Sequence, residues 1–416
     1  MHVGEPMEAG AGPLTLSTQL FNSKAGGLTI AHALTSALRY RTVQYSNKTI
    51  SNLDNLVFHS VSSISTMTNT ENRASVPVSF LDGGLGTSLE DNYSITFGPS
   101  TPLWSSHLLV SDPSTLLRCQ KDFGDVPVDV ILTATYQISL EGFANTKTIE
   151  YPDGIAPEHV PRFLETAVQI AEQAKQRSCG VALSIGPYGA CMVPSQEFSG
   201  KYDTAHDSED DLFAWHRERM EVFASIRDIR QRVRYIALET VPRLDEVVAM
   251  RRAMSAVPGL SSGVPFWISC LFPNEDENIP DGGSPEAVIR VMLDPSLAPA
   301  VPWGVGINCT KVWKIDSLLR RYEAAINHLL QEGLIEKWPA LVLYPDGTNG
   351  EVYNTTTMQW EIPQGTEQQD RVPWETQLAE VVRATEARGK WPQIIVGGCC
   401  RARPSDIQRL RGCLST

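Results

Sequence analysis

The sequence predicts an α/β fold in the form of a single (β/α)8 TIM barrel, and three observations support it. Short apolar segments recur eight times from residue 76 onward, and helical patterns occupy most of the gaps between them. The segments are almost continuously apolar, which is typical of parallel strands that are covered on both faces. One set of strands alternating with helices closes most economically into a barrel, with a doubly wound open sheet as the structural alternative.

Each predicted strand ends in a glycine, a proline, an asparagine or another polar residue. Helices are predicted where apolar residues recur at intervals of three and four, because this spacing places them on one face. The eight strands are predicted at Val78–Gly84, Asp129–Gln137, Val181–Gly189, Tyr235–Val241, Phe266–Phe272, Trp303–Thr310, Ala340–Gly347 and Gln393–Cys400. The six helices are predicted at His159–Arg177, Asp211–Arg232, Arg243–Ala256, Pro285–Leu293, Ile315–Glu332 and Trp374–Arg388.

Residues 1–75 differ in composition from the rest of the chain. They contain 19 serine or threonine residues, few charges and no sustained apolar periodicity, which is typical of disordered segments. The sequence therefore predicts a poorly ordered N-terminal extension at 1–75 and a barrel domain at 76–416. An organelle-targeting leader is the alternative for the extension, although Glu5 and Glu8 count against it because such leaders are poor in acidic residues. Met67 is a candidate alternative start.

The charge of the chain excludes several classes of partner. Its 416 residues include 35 Lys and Arg against 48 Asp and Glu, a formal net charge of −13. Because no basic stripe interrupts this acidic average, nucleic acid is not an expected partner. No apolar run approaches the roughly 18 residues that cross a bilayer, and the start lacks the pattern of a secretory signal. We therefore expect a cytoplasmic protein that binds small molecules.

Three of the eight cysteines fall at predicted strand ends. A chain of this size needs no disulfide staples, so the other five are expected to be buried, reduced thiols. Cys309 ends the sixth strand, and Cys399 and Cys400 end the eighth, on the rim where (β/α)8 barrels carry their active sites. Neighbouring residues of a regular strand point to opposite faces. Gly397 and Gly398 are expected to let the chain leave strand geometry, because glycine accepts backbone angles that are closed to other residues.

Three thiolates with one open position are typical of a catalytic zinc site. Zn²⁺ with three thiolates carries a charge of −1, so it would polarise a carbonyl or water poorly and would suit a thiol substrate better. A free thiol has a pKa of about 8.5, and coordination to the metal deprotonates it. On the residues alone, a zinc site and three ordinary core cysteines remain alternatives.

Seven motifs in this order resemble the zinc-dependent homocysteine S-methyltransferase family over roughly residues 78–413. They are FLDGGLGTSLE, LTATYQ, SIGPYGA, IALETVP, GVGINCT, LVLYPDGTNGEVY and GGCCRARPSDI. The pairing of GINC on one strand with GGCCR on another is highly specific. The resemblance implies a barrel in which Cys309, Cys399 and Cys400 bind zinc and are catalytic, because the metal holds the thiolate of homocysteine.

The same resemblance implies that Asp82 and Glu239 anchor the ammonium group of the amino acid. A zwitterion also needs N–H donors for its carboxylate, and those of Gly83 and Gly84 are expected to serve. The alternatives are a turn-forming role for Asp82 and a structural ion pair for Glu239. Three further residues are expected to line the substrate pocket, namely Thr133, Tyr136 and Asn308.

The activity implied is transfer of a methyl group from a sulfonium donor to homocysteine, giving methionine. The GLGTSLE, SIGPYGA and EFSGKY segments resemble the branch that uses S-methylmethionine or S-adenosylmethionine more than the branch that uses betaine. Ala134 stands where an asparagine is common, which argues against a donor contact from that position. The alternatives are methylation of another thiol or selenol such as selenocysteine, and a non-catalytic zinc-binding barrel with Cys413 as fourth ligand.

Overall fold

The structure is a computed structural model that describes residues 76–348, 350–354, 357, 359–362 and 372–415. The predicted extension at 1–75 lies outside the described residues. Ten strands lie within them, at β1 (Val78–Phe80), β2 (Val130–Leu132), β3 (Gly180–Ile185), β4 (Tyr235–Val241), β5 (Phe266–Cys270), β6 (Gly304–Lys311), β7 (Ala340–Asp346), β8 (Val352–Asn354), β9 (Gln359–Glu361) and β10 (Ile394–Val396).

Eight of these strands form one parallel sheet in the order β1, β10, β7, β6, β5, β4, β3, β2. The two ends of this order meet, because a parallel bridge joins Leu81 to Val130. Beside it, the amide of Asp129 donates to the carbonyl oxygen of Phe80 at 2.7 Å. The predicted (β/α)8 barrel is confirmed. The remaining strands, β8 and β9, form an antiparallel hairpin after β7.

Helices alternate with the barrel strands, and all six predicted helices are present. The predicted helix at 211–232 is divided into α7 and α8. Three longer helices, α1, α3 and α14, were not predicted. The α-helices of the described residues are α1 (Leu85–Tyr93), α2 (Leu108–Ser111), α3 (Pro113–Gly124), α4 (Leu140–Ala144), α5 (Val160–Ala174), α6 (Tyr188–Cys191), α7 (Glu209–Ala224), α8 (Ile229–Arg232), α9 (Leu244–Ala256), α10 (Pro258–Ser261), α11 (Pro285–Leu293), α12 (Ile315–Gln331), α13 (Trp374–Arg388) and α14 (Pro404–Leu414).

The strands are buried on both faces, as their continuous apolar sequence predicts. Along β4 the side chains alternate: Tyr235 and Ala237 belong to a small interior cluster, whereas Ile236 and Leu238 pack in the large cluster shared with the helices. The small cluster fills the barrel and gives the site above it a packed floor. No helix of the described residues combines the length and the apolar character needed to cross a bilayer.

Six of the eight predicted strands are shorter in the structure than in the sequence interpretation. The difference is largest for β1, β2 and β10, which have three residues each. At the last residue of β2, the amide of Leu132 donates to the Asp82 carboxylate at 2.8 Å. The residues past these strand ends form the rim of the barrel, where the polar motifs lie.

Candidate active site

A cavity of about 190 Å³ opens at the carboxyl ends of the barrel strands. Its wall combines residues of β3, β4, β6 and β7 with the chain that follows β1, β2, β3 and β10. Of the predicted site residues, the cavity is lined by Asp82, Gly83, Gly84, Thr133, Tyr136, Glu239, Cys309, Cys399 and Cys400. Asn308 is the exception, since it is fully buried behind the wall.

The structure brings the three predicted cysteines together. The sulfur atoms of Cys309, Cys399 and Cys400 all lie within 4.8 Å of one another, and no other His, Cys, Asp or Glu of the described residues joins this group. Cys309 and Cys399 are joined as a disulfide with their Cα atoms 5.5 Å apart, and Cys400 is a free thiol. Cys413 lies on α14 and outside the cluster. In their reduced form, three cysteines on one rim fit a soft ion such as Zn²⁺.

Local backbone geometry turns the sulfurs toward one point. Cys309 has a φ of +45° at the end of β6, where the register with β7 shifts after Asn308. A side chain in this left-handed region costs of order 1 kcal/mol or more and is found where function requires the geometry. β10 ends at Val396, so the chain leaves strand geometry before the paired cysteines, as predicted.

Gly397 and Gly398 are needed because a Cβ would not fit at these positions, and not because of a positive φ. This corrects the sequence interpretation. Neither glycine has a positive φ. A Cβ on Gly397 would lie 2.7 Å from the carbonyl oxygen of Asp82 and from Leu81, and one on Gly398 would lie 2.2 Å from the Cβ of Ala402. The two glycines therefore let the segment that carries Cys399 and Cys400 pack directly against β1 and the loop after it.

Asn308 supports the sulfurs from behind the cavity wall. Its Nδ2 group lies 3.4 Å from the Sγ of Cys309 and 3.9 Å from that of Cys399. The same side chain is held in place by Thr240, which receives a hydrogen bond from Nδ2 at 2.7 Å and donates its amide to Oδ1 at 3.0 Å. An amide donor beside thiolates stabilises their negative charge and orients them.

Two predicted carboxyl groups lie buried in the cavity. Asp82 accepts a hydrogen bond from the Leu132 amide on Oδ2, while its buried Oδ1 has no partner among the described residues. Burial raises the pKa of Asp82 to about 8, and the charge of Glu239 adds to this. Burial likewise raises the pKa of Glu239 to about 7, although the Ser184 hydroxyl donates to its carboxylate and opposes the change. Neither carboxyl group forms a salt bridge in the described residues, so a cationic ligand would supply both with the opposite charge that they lack.

The two glycines after Asp82 differ in what they offer a ligand. The amide of Gly84 donates to the carbonyl oxygen of Ala402 at 2.9 Å, so it is not a free donor for a carboxylate. No hydrogen bond from the amide of Gly83 is present among the described residues. Gly84 caps α1, whose first residues, Leu85 and Gly86, also line the cavity. The free amides at the start of this helix therefore extend the predicted donor set.

The end of β2 supplies a rigid side of the cavity. The Thr133 hydroxyl accepts from the Ser184 amide at 3.1 Å and lies 2.6 Å from the Thr135 hydroxyl. Tyr136 is held through its carbonyl oxygen, which accepts from the buried guanidinium of Arg219 at 2.6 Å. Ala134 packs in the hydrophobic core and does not line the cavity.

Sequence reasoning missed one side of the cavity. It is formed by the loop after α6 and by the segment before α2, and it includes the aromatic residues Phe97 and Trp104 and the acidic residue Glu197. Glu197 belongs to the EFSGKY segment, which contributed to the family resemblance but supplied no predicted site residue. The burial of Glu197 depends on contacts with distant parts of the chain, and no local sequence pattern predicts such contacts.

Comparisons with known proteins agree with this geometry. A profile of the homocysteine S-methyltransferase family matches residues 79–414. Homocysteine S-methyltransferase YbgG of Bacillus subtilis is 28% identical over 346 residues, covering 80% of this chain and 93% of the relative. Betaine-homocysteine S-methyltransferase of Drosophila melanogaster is 28% identical over 353 residues, covering 80% and 93%. The structure of the homocysteine methyltransferase MmuM from Escherichia coli in its metallated form has a TM-score of 0.54 and 25% identity, covering 80% of this chain and 96% of that one.

Proposed function

This chain belongs to the homocysteine S-methyltransferase family, and we propose that it transfers a methyl group from a sulfonium donor to L-homocysteine. The donor is S-methylmethionine or S-adenosylmethionine, and the methylated product is methionine. One observation carries the proposal. Three cysteine sulfur atoms within 4.8 Å of one another share a cavity with two buried carboxyl groups that lack a cationic partner in the described residues.

The thiols of Cys309, Cys399 and Cys400 in their reduced form would hold Zn²⁺, and Asn308 would orient two of them. When bound, the metal lowers the pKa of a substrate thiol so that the thiolate is available at neutral pH.

Asp82 and Glu239 would bind the ammonium group of homocysteine. Both are buried carboxylates on one side of the cavity, and charge-assisted hydrogen bonds to an ammonium group offset the cost of their burial. The carboxylate of homocysteine would lie at the amide of Gly83 and the first amides of α1. Fixing both ends of the amino acid leaves its sulfur one position to occupy, toward the cysteine cluster.

The methyl transfer balances without an acid or base from the chain. A lone pair of the homocysteine sulfur forms the new S–CH₃ bond, and the electrons of the broken C–S bond return to the donor sulfur. The donor loses its positive charge and leaves as a neutral thioether. Tyr136 and Thr133 line the cavity and would keep water away from the reacting sulfur atoms.

The proposal is tested by assaying methionine formation by the zinc-loaded, reduced protein. S-methylmethionine, S-adenosylmethionine and betaine are supplied in parallel with homocysteine, and selenocysteine competes as acceptor. We expect turnover with a sulfonium donor and preference for homocysteine. Activity with betaine alone would move the chain to the other branch, and silence with all three donors would reject the enzymatic role proposed here.

A further inference from the structure

The cavity holds a third buried carboxyl group that the proposed chemistry does not use. Glu197 is 8% exposed and lines the cavity. Its Oε2 atom is buried and has no hydrogen-bond partner among the described residues. Its carboxylate forms no salt bridge there either. We propose that Glu197 is the anionic contact for the positively charged sulfur of the methyl donor, with Phe97 and Trp104 as the aromatic wall of the same subsite. This inference rests on the proposed function.

Glu197 lines the same cavity as Tyr136 and Cys400. After burial, Glu197 is the main influence that raises the pKa of Tyr136. Neither Asp82 nor Glu239 owes its raised pKa to Glu197. Glu197 is therefore separate from Asp82 and Glu239, the pair assigned to the acceptor.

The loop that carries Glu197 is fixed before any ligand binds. The amide of Gln196 donates to the carbonyl oxygen of Gly189 at 2.8 Å, and the amide of Gly200 donates to that of Gln196 at 2.8 Å. Gly189 is packed so closely that a Cβ would lie 3.0 Å from the nitrogen of Glu197. The backbone that carries Glu197 is therefore already in place, which reduces the reorganisation that binding a ligand requires.

A buried network secures this loop to the barrel. Glu246 on α9 accepts hydrogen bonds from the amide of Tyr188 at 2.6 Å and from the hydroxyl of Tyr202 at 2.5 Å, which lie on either side of the loop. The ring of His216 on α7 contacts the same carboxylate at 2.9 Å. Glu246 thus fixes both ends of the segment that presents Glu197.

The aromatic wall suits a sulfonium ion. Phe97 and Trp104 line the cavity with their ring centroids 5.2 Å apart. A cation is attracted to an aromatic face, and the attraction is stronger when water is excluded. A trivalent sulfur cation carries its charge on an atom surrounded by carbon, so it has no N–H donors to lose on burial. A carboxylate and an aromatic wall together match this chemistry better than they match a neutral thioether.

The subsite also discriminates between classes of donor. In betaine the carboxylate lies one carbon from the cationic centre, so the Glu197 carboxylate would repel it. In S-methylmethionine the amino-acid carboxylate is three carbons from the sulfonium, which lets the cation approach Glu197 alone. Specificity of this kind arises from a repulsive contact as well as an attractive one. Once the methyl group has left, the attraction disappears and the neutral product is released.

The test compares Glu197→Gln with the full-length, zinc-loaded protein. We expect the KM for S-methylmethionine to rise at least 10-fold while the KM for homocysteine stays within twofold. Glu197→Asp keeps the charge and should recover part of the loss, which a merely structural role would not require. Glu221→Gln is the matched control, because Glu221 is an exposed residue of α7, and it should behave as the unchanged protein.

The outcomes separate this inference from the function on which it rests. A rise in the KM for homocysteine instead of the donor, or no change in either, overturns the role of Glu197 while leaving the methyltransferase intact. If the unchanged protein turns over no donor, the proposed function fails first. Equilibrium dialysis of S-methylmethionine then decides the subsite: binding that Glu197→Gln weakens at least 10-fold supports it, and equal or absent binding overturns it. Thermal melting of each variant checks that it is folded.

Discussion

At the scale of single residues, the cavity gathers groups whose ordinary ionisation is suppressed. Asp82, Glu239 and Glu197 all have a raised pKa because they are buried, and the thiol of Cys400 is affected in the same way. In a cavity without ligands, the protonated form of each group has the lower free energy. A substrate with a cationic centre reverses that preference, so binding and ionisation are coupled at this site.

The cysteine cluster can be tested through its metal content. Cys400→Ser should lower bound zinc from about one ion per chain to near zero and reduce methionine formation at least 100-fold, because it removes one of three ligands. Cys413→Ser should keep both, since Cys413 lies outside the cluster. Zinc is measured by elemental analysis after dialysis under reducing conditions. Loss of zinc from Cys413→Ser would instead identify it as a ligand and favour the regulatory alternative.

The raised pKa of Asp82 predicts that this residue lowers the stability of the folded protein as the pH rises, although it is proposed to bind homocysteine. Its pKa is about 8 in the folded protein against 3.8 for an ordinary carboxyl, so the folded state keeps a proton that the unfolded chain releases. The free energy of unfolding contributed by Asp82 is therefore fully present below about pH 4 and declines as pH rises to about 8. Asp82→Asn removes this decline.

Thermal unfolding without homocysteine checks the sign. Asp82→Asn should gain stability relative to the unchanged protein as the pH is raised from 5 to 8, while its KM for homocysteine rises at least ~10-fold through loss of a charged contact. The comparison variant is Asp122→Asn, which alters a surface carboxylate on α3 bonded to Tyr93 and should show neither change. A Tm difference that is independent of pH would contradict the assignment.

At the scale of elements, the barrel depends on buried polar side chains that join helices to loops. Arg251 on α9 is fully buried and donates to four backbone carbonyl oxygens. They belong to Val291 at 2.5 Å, Asp294 at 3.0 Å, Ala298 at 2.6 Å and Ala300 at 2.7 Å. The first of these residues lies on α11 and the others in the segment that leads into β6, so Arg251 joins α9 to α11 and to the segment before β6.

Arg251→Met should lower the free energy of unfolding by about 3 kcal/mol, because it leaves several buried carbonyl oxygens without donors. The neighbouring residue is a matched control: Arg252 is partly exposed and pairs with Glu209 and Asp210. Arg252→Met should cost less than about 1 kcal/mol. Urea denaturation of both variants measures the difference, and equal effects would show that Arg251 contributes no more than a surface ion pair.

At the scale of the whole molecule, the site is assembled from the entire barrel. The residues assigned to it run from Asp82 in the loop after β1 to Cys400 after β10, and neighbouring strands join the two ends of the domain. Every described group that the proposed chemistry needs lies between these positions. The division into an extension at 1–75 and a barrel at 76–416 remains a prediction from composition.

Translation from Met67 should therefore yield an active enzyme. Its kcat and its KM for both substrates should match those of the full chain within about twofold, because β1 begins at Val78 and the family match at 79. Steady-state kinetics of the two forms makes the comparison. A start at Leu81 is the opposite control, since it removes β1 and its pairing with β10 and should abolish folding. Loss of activity on starting at Met67 would show that residues 1–66 contribute to the enzyme.

The sequence by itself determined the barrel and the place of its chemistry. Continuous apolar strands and amphipathic helices are local patterns, and because parallel strands end on one rim, Cys309 and the Cys399–Cys400 pair were expected on the same rim, where they could converge. The boundaries of β4 and α13 were predicted to the residue for the same reason. The shorter strands and the helices at α1, α3 and α14 escaped prediction, since their patterns are short or interrupted.

Tertiary structure decided how the polar groups are used. The amide of Gly84 is taken by Ala402, Asn308 lies behind the cysteines instead of in the cavity, and Glu197 enters the cavity from a loop. Each outcome depends on a partner from a distant part of the chain. Burial and hydrogen bonding are properties of such contacts, so the sequence located the chemistry while the closed barrel assigned each group its neighbours.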